Sequence, residues 1–254
     1  AHQERRIEKG AVIIERPDIT INLEGAGENI TVSLDEDPLA PKAHLLVSEL
    51  MVLTNAALAA WAKEHGVTLL HRTQDVAIPK EFSGIWQTPL EIARVVKALA
   101  PAVLETNPRP HAGLGEAMYA PSTSPLRRYP DMINETQIIS LLRDGKPRWS
   151  KEELDTLLPL LNAHLDAAGQ VQRFRPRYWK LLYFKQQGDR WWPAVITDEN
   201  DAFVTVNMPK EQMIVRARRQ FFGERTHPGQ ELEIRLGKVH PLQNDFQLLE
   251  TREI

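Results

Sequence analysis

Residues 171–208 read VQRFRPRYWKLLYFKQQGDRWWPAVITDENDAFVTVNM, and the texture of the chain changes inside them. Up to Gln187 cations and aromatic rings are interleaved. Beyond it come WWPAVITDENDAFVTVNM, MIVRA, GQELEIRLGKVHP and DFQLLE, short β-rich runs separated by turn residues. That spacing belongs to a small all-β barrel of the OB type. A boundary is therefore expected between Lys185 and Gly188. The expected fold class is α+β, with a mixed helix and strand portion over residues 1–184 followed by a barrel over residues 185–254. No internal repeat is visible.

Working back from the boundary, the first segment alternates. AVIIE (11–15), ITINL (19–23) and NITVSL (29–34) predict short strands, and the glycine-bearing EGAGE (24–28) predicts a hairpin. DEDPLAPK (35–42) predicts a linker. Apolar residues from Ala43 to Lys63 recur at helical spacing, with Gly66 as a stop, and predict a largely buried helix. Thr88, Pro89 and Glu91 form a capping box for a helix that ends before Pro101. A further helix is expected from about Asp131 to Arg143. Ser150 and Glu153 cap another that runs to about Ala168, with Gly169 as an interruption. The acidic runs Asp35–Asp37 and Asp198–Glu199 predict solvated loops.

Composition excludes several kinds of chemistry. The 254 residues are 42% hydrophobic, enough for one large domain and one small one, and the formal net charge of −3 gives no global attraction for a polyanion. There is no cysteine, which removes disulfides, thiol catalysis and cysteine-ligated zinc, and suits a reducing cytoplasm. The eight histidines form no HxH or HxxxH pair, which argues against a metalloprotease. No apolar run approaches the roughly 20 residues of a membrane span, so no membrane partner is expected. The start, AHQERRIEKG, lacks Met and a hydrophobic signal core, and reads as the interior of a longer polypeptide.

Three constellations could carry chemistry. Glu49 is, with His44, the only ionisable side chain between Ala43 and Ala62, so it is either a partner for a buried donor or a site residue. The run 171–192 places Arg173, Arg175, Arg177, Lys180, Lys185 and Arg190 among seven aromatic rings, against Asp189 alone. Cations that neutralise phosphates next to rings that stack on bases suit single-stranded nucleic acid; an amphipathic helix explains the same residues. Arg216 and Arg218 share one face of a strand by alternation, with Arg219 beside them, and form a weaker patch. The third constellation is YAPSTSPLRRYPDM, residues 119–132. Three prolines restrict the backbone around Arg127 and Arg128, which suits preorganised bidentate phosphate recognition; a surface turn with Arg128 paired to Asp131 is the alternative.

HAGLGEAMYAPSTSPLRRYPDMINE (111–135) resembles the T-S-P-I-R-R/K-Y-x-D signature of the ribonuclease II and ribonuclease R exoribonucleases. LLVSELMVLTNAALAAWAKEHG (45–66) is similar to their E-x-M-x-x-A-N helix, and LLHRTQ (69–74) to the Y-R-x-H segment that follows it. The order and spacing agree, so the resemblance covers most of residues 1–184. It implies Mg²⁺-dependent, processive 3′–5′ hydrolysis of single-stranded RNA to nucleoside 5′-monophosphates; a cytoplasmic location and a monomer are separate expectations. Arg127 matches the arginine that stabilises charge on the scissile phosphate, and Glu49 matches the glutamate near the terminal nucleotide. Tyr119, Ser124, Arg128, Tyr129, Arg173, Arg175, Arg177 and Lys180 are the further RNA-binding candidates. The sequence departs from the family at Ile13, where relatives carry an aromatic, at Pro121–Ser122, and at Glu135 in place of a histidine. The family's D-x-x-x-x-x-D-x-D-D cluster is absent, so the metal ligands are expected upstream of Ala1. The rival expectation is an RNA-binding protein of the same fold that has lost catalysis.

Overall fold

A computed structural model of the chain describes residues 1–37, 41–223 and 225–254. Five helices and eleven strands follow one another along it. They are α1 (His2–Glu8), β1 (Val12–Ile14), β2 (Ile19–Glu24), β3 (Thr31–Glu36), α2 (Pro41–Glu64), β4 (His71–Thr73), β5 (Gly84–Trp86), α3 (Pro89–Ala98), β6 (Val103–Glu105), α4 (Tyr129–Asp144), α5 (Lys151–Gln187), β7 (Trp191–Glu199), β8 (Phe203–Met208), β9 (Met213–Arg218), β10 (Glu231–His240) and β11 (Asp245–Glu253). They divide into two compact units, residues 1–14, 40–86 and 97–166 in the first, and 15–39, 87–96 and 167–254 in the second. The expected linker 35–42 includes Pro38–Ala40, which lie outside the described residues.

The first unit is helical, with two small sheets. β1 pairs in parallel with β5, and β4 pairs antiparallel with β6. Consecutive side chains of the extended segment before β4 point opposite ways. Leu69 therefore enters one cluster with Ala59, Ala62, Val67 and Ala120, and Leu70 enters another with Ile133, Leu154 and Leu161. Between them Asn134, fully buried on α4, accepts from Leu70 N–H at 2.7 Å and donates to Leu70 C=O at 2.9 Å. A single amide thus closes the polar backbone that two apolar clusters would otherwise strand.

The second unit holds the hairpin β2–β3, the end of α5 and the barrel. Gln186 of α5 accepts from Val32 N–H and donates to Ile30 C=O, which pins the hairpin to the helix. The barrel strands run in the order β11-β10-β7-β8-β9, all antiparallel, and no ladder joins β9 to β11 among the described residues. The first strand of the module thus pairs with both its second and its fourth, as in a partly open OB-type barrel. Trp192, 1% exposed, sits in the core with Phe184 edge-on at 4.8 Å and Leu181, Ile196, Val204 and Ile234 around it. Both capping boxes form: Glu91 accepts from Thr88 N–H, and Glu153 accepts from Ser150 N–H at 2.8 Å.

Four expectations need correction. α2 is not largely buried: Val52, Asn55, Ala59 and Ala62 face inward, while Leu46 (62%), Val47 (57%) and Leu50 (53%) are exposed. Apolar composition signalled burial, but on the other face no described residue covers it. Nor is a span-length apolar segment lacking. Lys42–Glu64 is long and apolar enough to cross a membrane, with a mean hydropathy of 1.6 over its best window. Scattered Ser48, Glu49, Thr54 and Asn55 break the run without lowering the average enough. α5 passes through Gly169 unbroken, because a glycine costs a helix interior only about 1 kcal/mol. Finally, Asp35 and Glu36 lie in β3 and Asp198 and Glu199 in β7, as strand residues. Asp35 accepts from Asn22 across the hairpin, and Glu199 from Arg219 and Thr226.

Trp192→Ala removes the largest ring of the barrel core. It is expected to cost about 3–5 kcal/mol, read as a lowered urea midpoint.

Candidate functional site

The loop between Tyr119 and Asp131 is held at each of four successive residues. Pro121 C=O accepts from Asn134 Nδ2 at 2.8 Å, and Ser122 N–H donates to Asn55 Oδ1 at 2.9 Å. Thr123 Oγ1 accepts from Asn55 Nδ2 and from the Arg128 guanidinium, each at 3.3 Å. Ser124 N–H donates to Asp131 Oδ1 at 2.9 Å. The Asn55 amide also donates to the Tyr119 hydroxyl at 2.8 Å. Asn55, Asn134 and Asp131 are at most 1% exposed, so these bonds form away from competing water. Ser124 C=O then accepts from both Arg127 N–H and Arg128 N–H, and the tight turn delivers the chain into α4, with Pro130 in its first turn.

This geometry separates the two arginines. Arg128 donates to Asp131 Oδ1 through Nε at 3.0 Å and Nη2 at 2.5 Å, and is half-buried. Arg127 is exposed, and its guanidinium makes no hydrogen bond or ion pair among the described residues. Beside it Leu126 is fully exposed and Tyr129 about half exposed. Tyr119, by contrast, is buried, with its ring edge-on to His111 at 5.8 Å.

Glu49 lies in a different arrangement within the same unit. Arg6 of α1 grips both carboxylate oxygens and also donates to Leu114 C=O at 2.8 Å, while His2 Nδ1 lies 2.6 Å from Glu49 Oε2. Burial raises the Glu49 carboxyl, but the hydrogen bonds from Arg6 and His2 outweigh it and hold the group below the ordinary carboxylate range. Gly115 keeps this corner tight: at φ +67° a side chain is strained, and a Cβ would meet Arg6 C=O at 2.5 Å.

The basic and aromatic run of the second unit lies on α5, and burial sorts it. Phe184 turns into the barrel core and Tyr183 packs against it. Arg177 Nη1 lies 3.1 Å from Met213 Sδ with its guanidinium over Phe246 at 5.6 Å, and Lys180 donates to Gln212 C=O at 3.1 Å. Burial pushes the Lys180 ammonium down to about 8. These two cations secure the β8–β9 turn. Arg173 and Arg175 are the exposed pair, and two residues apart on a helix they project to nearly opposite sides. On the barrel, Ile214, Arg216 and Arg218 share the outer face of β9, and Arg216 stacks over Phe203 of β8 at 4.4 Å.

Several functional residues were not legible beforehand. Asn55 is the closing residue of the E-x-M-x-x-A-N pattern but was given no role, and Asn134 carries no charge and is marked only as an amide inside a helical run. Arg6 lies 43 residues from Glu49. The Mg²⁺ expected for the family does not fit the residues present: among the described residues no group of three or more His, Asp or Glu could hold a metal ion.

Two outcomes follow. Asn55→Ala leaves Ser122 N–H and the Tyr119 hydroxyl without their buried partner and is expected to cost about 2–3 kcal/mol by urea denaturation. Burial depresses both His71 and His111 to about 4 from an ordinary 6.5; Glu105 opposes this at His71, and Arg72 adds to it at His111. Below pH 6.5 the unfolded chain takes up protons that the folded chain refuses. Stability is therefore fully present above about 6.5 and falls between 6.5 and 4, by on the order of 3 kcal/mol per histidine at most. A pH series of unfolding midpoints checks this, and His71→Gln with His111→Gln should flatten that window.

Comparison with known proteins bears on the family and the fold. Residues 1–144 match the model of the RNB domain. An uncharacterized ribonuclease of Synechocystis sp. is 24% identical over 251 residues, a match that takes in 96% of this chain and 37% of that protein. The Dss1 exoribonuclease of Candida glabrata, solved as an active-site mutant, shares the fold with a TM-score of 0.78 at 22% identity, over 96% of this chain and 33% of its own. Mycoplasma genitalium RNase R, solved with ribose-methylated single-stranded RNA, gives a TM-score of 0.75 at 16% identity, over 98% and 47%. The chain thus spans little more than a third of the curated relative's length. With the match extending over more than half of its residues, the chain belongs to the RNB domain family.

Proposed function

We propose that this chain is the substrate-guiding part of a 3′–5′ exoribonuclease that hydrolyses single-stranded RNA, with Arg127 as the group that meets the scissile phosphate. The observation that carries this reading is the asymmetry of the arginine pair. Arg128 is consumed by Asp131 and Thr123, whereas Arg127 projects from a loop fixed at four successive residues and has no hydrogen-bond or ion-pair partner among the described residues. A guanidinium held in place before substrate arrives needs little reorganisation when charge develops on a phosphate oxygen. The Mycoplasma RNase R is solved with single-stranded and with double-stranded RNA, which supports RNA as the ligand class. In the same proposal residues 1–184 belong to the catalytic domain and residues 185–254 form the RNA-binding barrel.

Divalent metal ions would activate water and neutralise the phosphate in such a hydrolysis. The described residues offer no group to hold them. What the chain supplies is the fixed loop, the free cation and the surfaces of α5 and the barrel. The same observation favours one second reading, RNA binding without hydrolysis. The intact polypeptide incubated with end-labelled RNA and Mg²⁺ separates the two, because only the first releases labelled or unlabelled mononucleotides.

In the intact enzyme Arg127→Ala is expected to lower kcat on the order of 10²-fold with little change in RNA affinity. Arg128→Ala should instead lower the unfolding midpoint, since it leaves Asp131 buried without its cation. Equal kinetic effects with no loss of stability at Arg128 would refute the division of roles. RNA binding by the chain is expected to weaken steeply with salt. Arg173→Ala or Arg175→Ala should each reduce the slope of log K against log salt by roughly 0.7 if that side chain contacts a phosphate, whereas Lys180→Ala should act on barrel stability.

A further inference from the structure

Two guanidinium groups leave the same tight turn, and only one of them is free. Ser124 C=O accepts from Arg127 N–H at 3.2 Å and from Arg128 N–H at 3.0 Å, so both side chains start from one turn of backbone. Arg128 is the N-cap of α4, with φ −124° and ψ 111°, and Asp131 follows three residues later in the first helical turn. That spacing brings the carboxylate within reach of Arg128. A single oxygen, Asp131 Oδ1, accepts from Arg128 Nε at 3.0 Å, from Arg128 Nη2 at 2.5 Å and from Ser124 N–H at 2.9 Å. Thr123 Oγ1 accepts from Nη2 as well, at 3.3 Å. Asp131 Oδ2 is buried without a partner among the described residues, so Arg128 is the one cation that answers this carboxylate there.

We infer that Asp131 is a positioning residue that withholds Arg128 from RNA, so that the loop presents one cation, Arg127, to a phosphate and not two. The inference rests on the proposed reading of Arg127 and adds the group that selects it. Residues 119–132 hold Arg127, Arg128 and Asp131 as their charged side chains, a net charge of +1. Two free cations would grip a phosphodiester in the ground state as firmly as later, which strengthens binding without raising the rate. Asp131 prevents this because RNA could recruit Arg128 only by leaving a carboxylate that is 1% exposed without its cation, a strongly unfavourable exchange. The same Oδ1 holds Ser124 N–H, so the removal of Arg128 and the placing of the loop depend on one atom.

The test is Asp131→Asn in the intact polypeptide, an isosteric change that keeps an acceptor for Ser124 N–H and removes the charge that holds Arg128. Binding is measured on single-stranded RNA with EDTA in place of Mg²⁺, so that it is read without turnover. The expected result is binding about threefold tighter at low salt, with a slope of log K against log salt steeper by roughly 0.7, because one more cation now reaches a phosphate. Adding Arg128→Gln to Asp131→Asn should return the slope to that of the unsubstituted protein. With Mg²⁺ restored, Asp131→Asn should lower kcat and KM together. Damage to the loop alone would instead weaken binding, and that result would overturn the inference, as would an unchanged slope or a double variant that keeps the steeper one. Phenylglyoxal labelling of the unsubstituted protein, read by peptide mass, stands whether or not the variant folds: Arg127 is expected to be modified and Arg128 protected, and equal modification would overturn the inference. Arg127→Ala with unchanged kcat would refute the proposed activity alone, since the binding and labelling results on Arg128 do not depend on turnover.

Discussion

Three buried side chains, Asn55, Asn134 and Asp131, decide the shape of everything around the arginine loop. Each sits on a helix and reaches across to backbone that no ladder or helix could satisfy. An amide is suited to this because it donates and accepts at once. Asn134 closes Leu70 on one side and Pro121 on the other, and so links β4's approach, α4 and the loop through a single residue. The loop is rigid for a cause that can be counted in bonds, and its prolines only reinforce it. Within the turn Ser124 C=O is taken by the N–H groups of Arg127 and Arg128 and Asp131 Oδ1 by Arg128 and Ser124, while Asp131 Oδ2 is buried without a partner among the described residues and Arg127 turns outward.

Cations in this chain serve two ends, and burial distinguishes them. Arg6, Arg128, Arg177 and Lys180 are drawn into contacts with carboxylates, carbonyls or sulfur and stabilise turns and helix docking. Arg127, Arg173, Arg175 and Arg218 remain at the surface. A dense basic run therefore overstates the charge available to a ligand. Two of its six cations, Arg177 and Lys180, belong to the architecture. The depressed ammonium of Lys180 shows the cost of that use, since its burial is compensated by little more than a backbone carbonyl.

Local signals were read from the sequence with good fidelity because they are complete within a few residues. The capping boxes at Thr88 and Ser150 need only a hydroxyl and a carboxylate three positions apart, and both form. The barrel strands announce themselves by alternation that one buried face enforces. The loop motif carried the family resemblance through its order of residues. What stayed hidden depends on partners distant in the chain. α1 is too short to signal a helix and matters only through Arg6, whose partner lies far away. The exposed side of α2 reads as core because composition records what a side chain prefers, and not whether a neighbour is there to meet it. Gly169 reads as a break because its penalty is visible in the sequence, while the packing that offsets it is not.

The Arg6–Glu49 pair has a practical meaning for anyone handling this polypeptide. Residues 1–9 are few and mostly polar, the kind of short stretch that is trimmed to improve crystals or yield. Yet they carry Arg6, whose guanidinium grips both oxygens of the Glu49 carboxylate, which is 13% exposed. Cutting after Lys9 would leave that carboxylate facing the protein interior with nothing to answer it, and α2, the scaffold of Asn55, would bear the consequence. Safe places to shorten the chain are to be sought elsewhere.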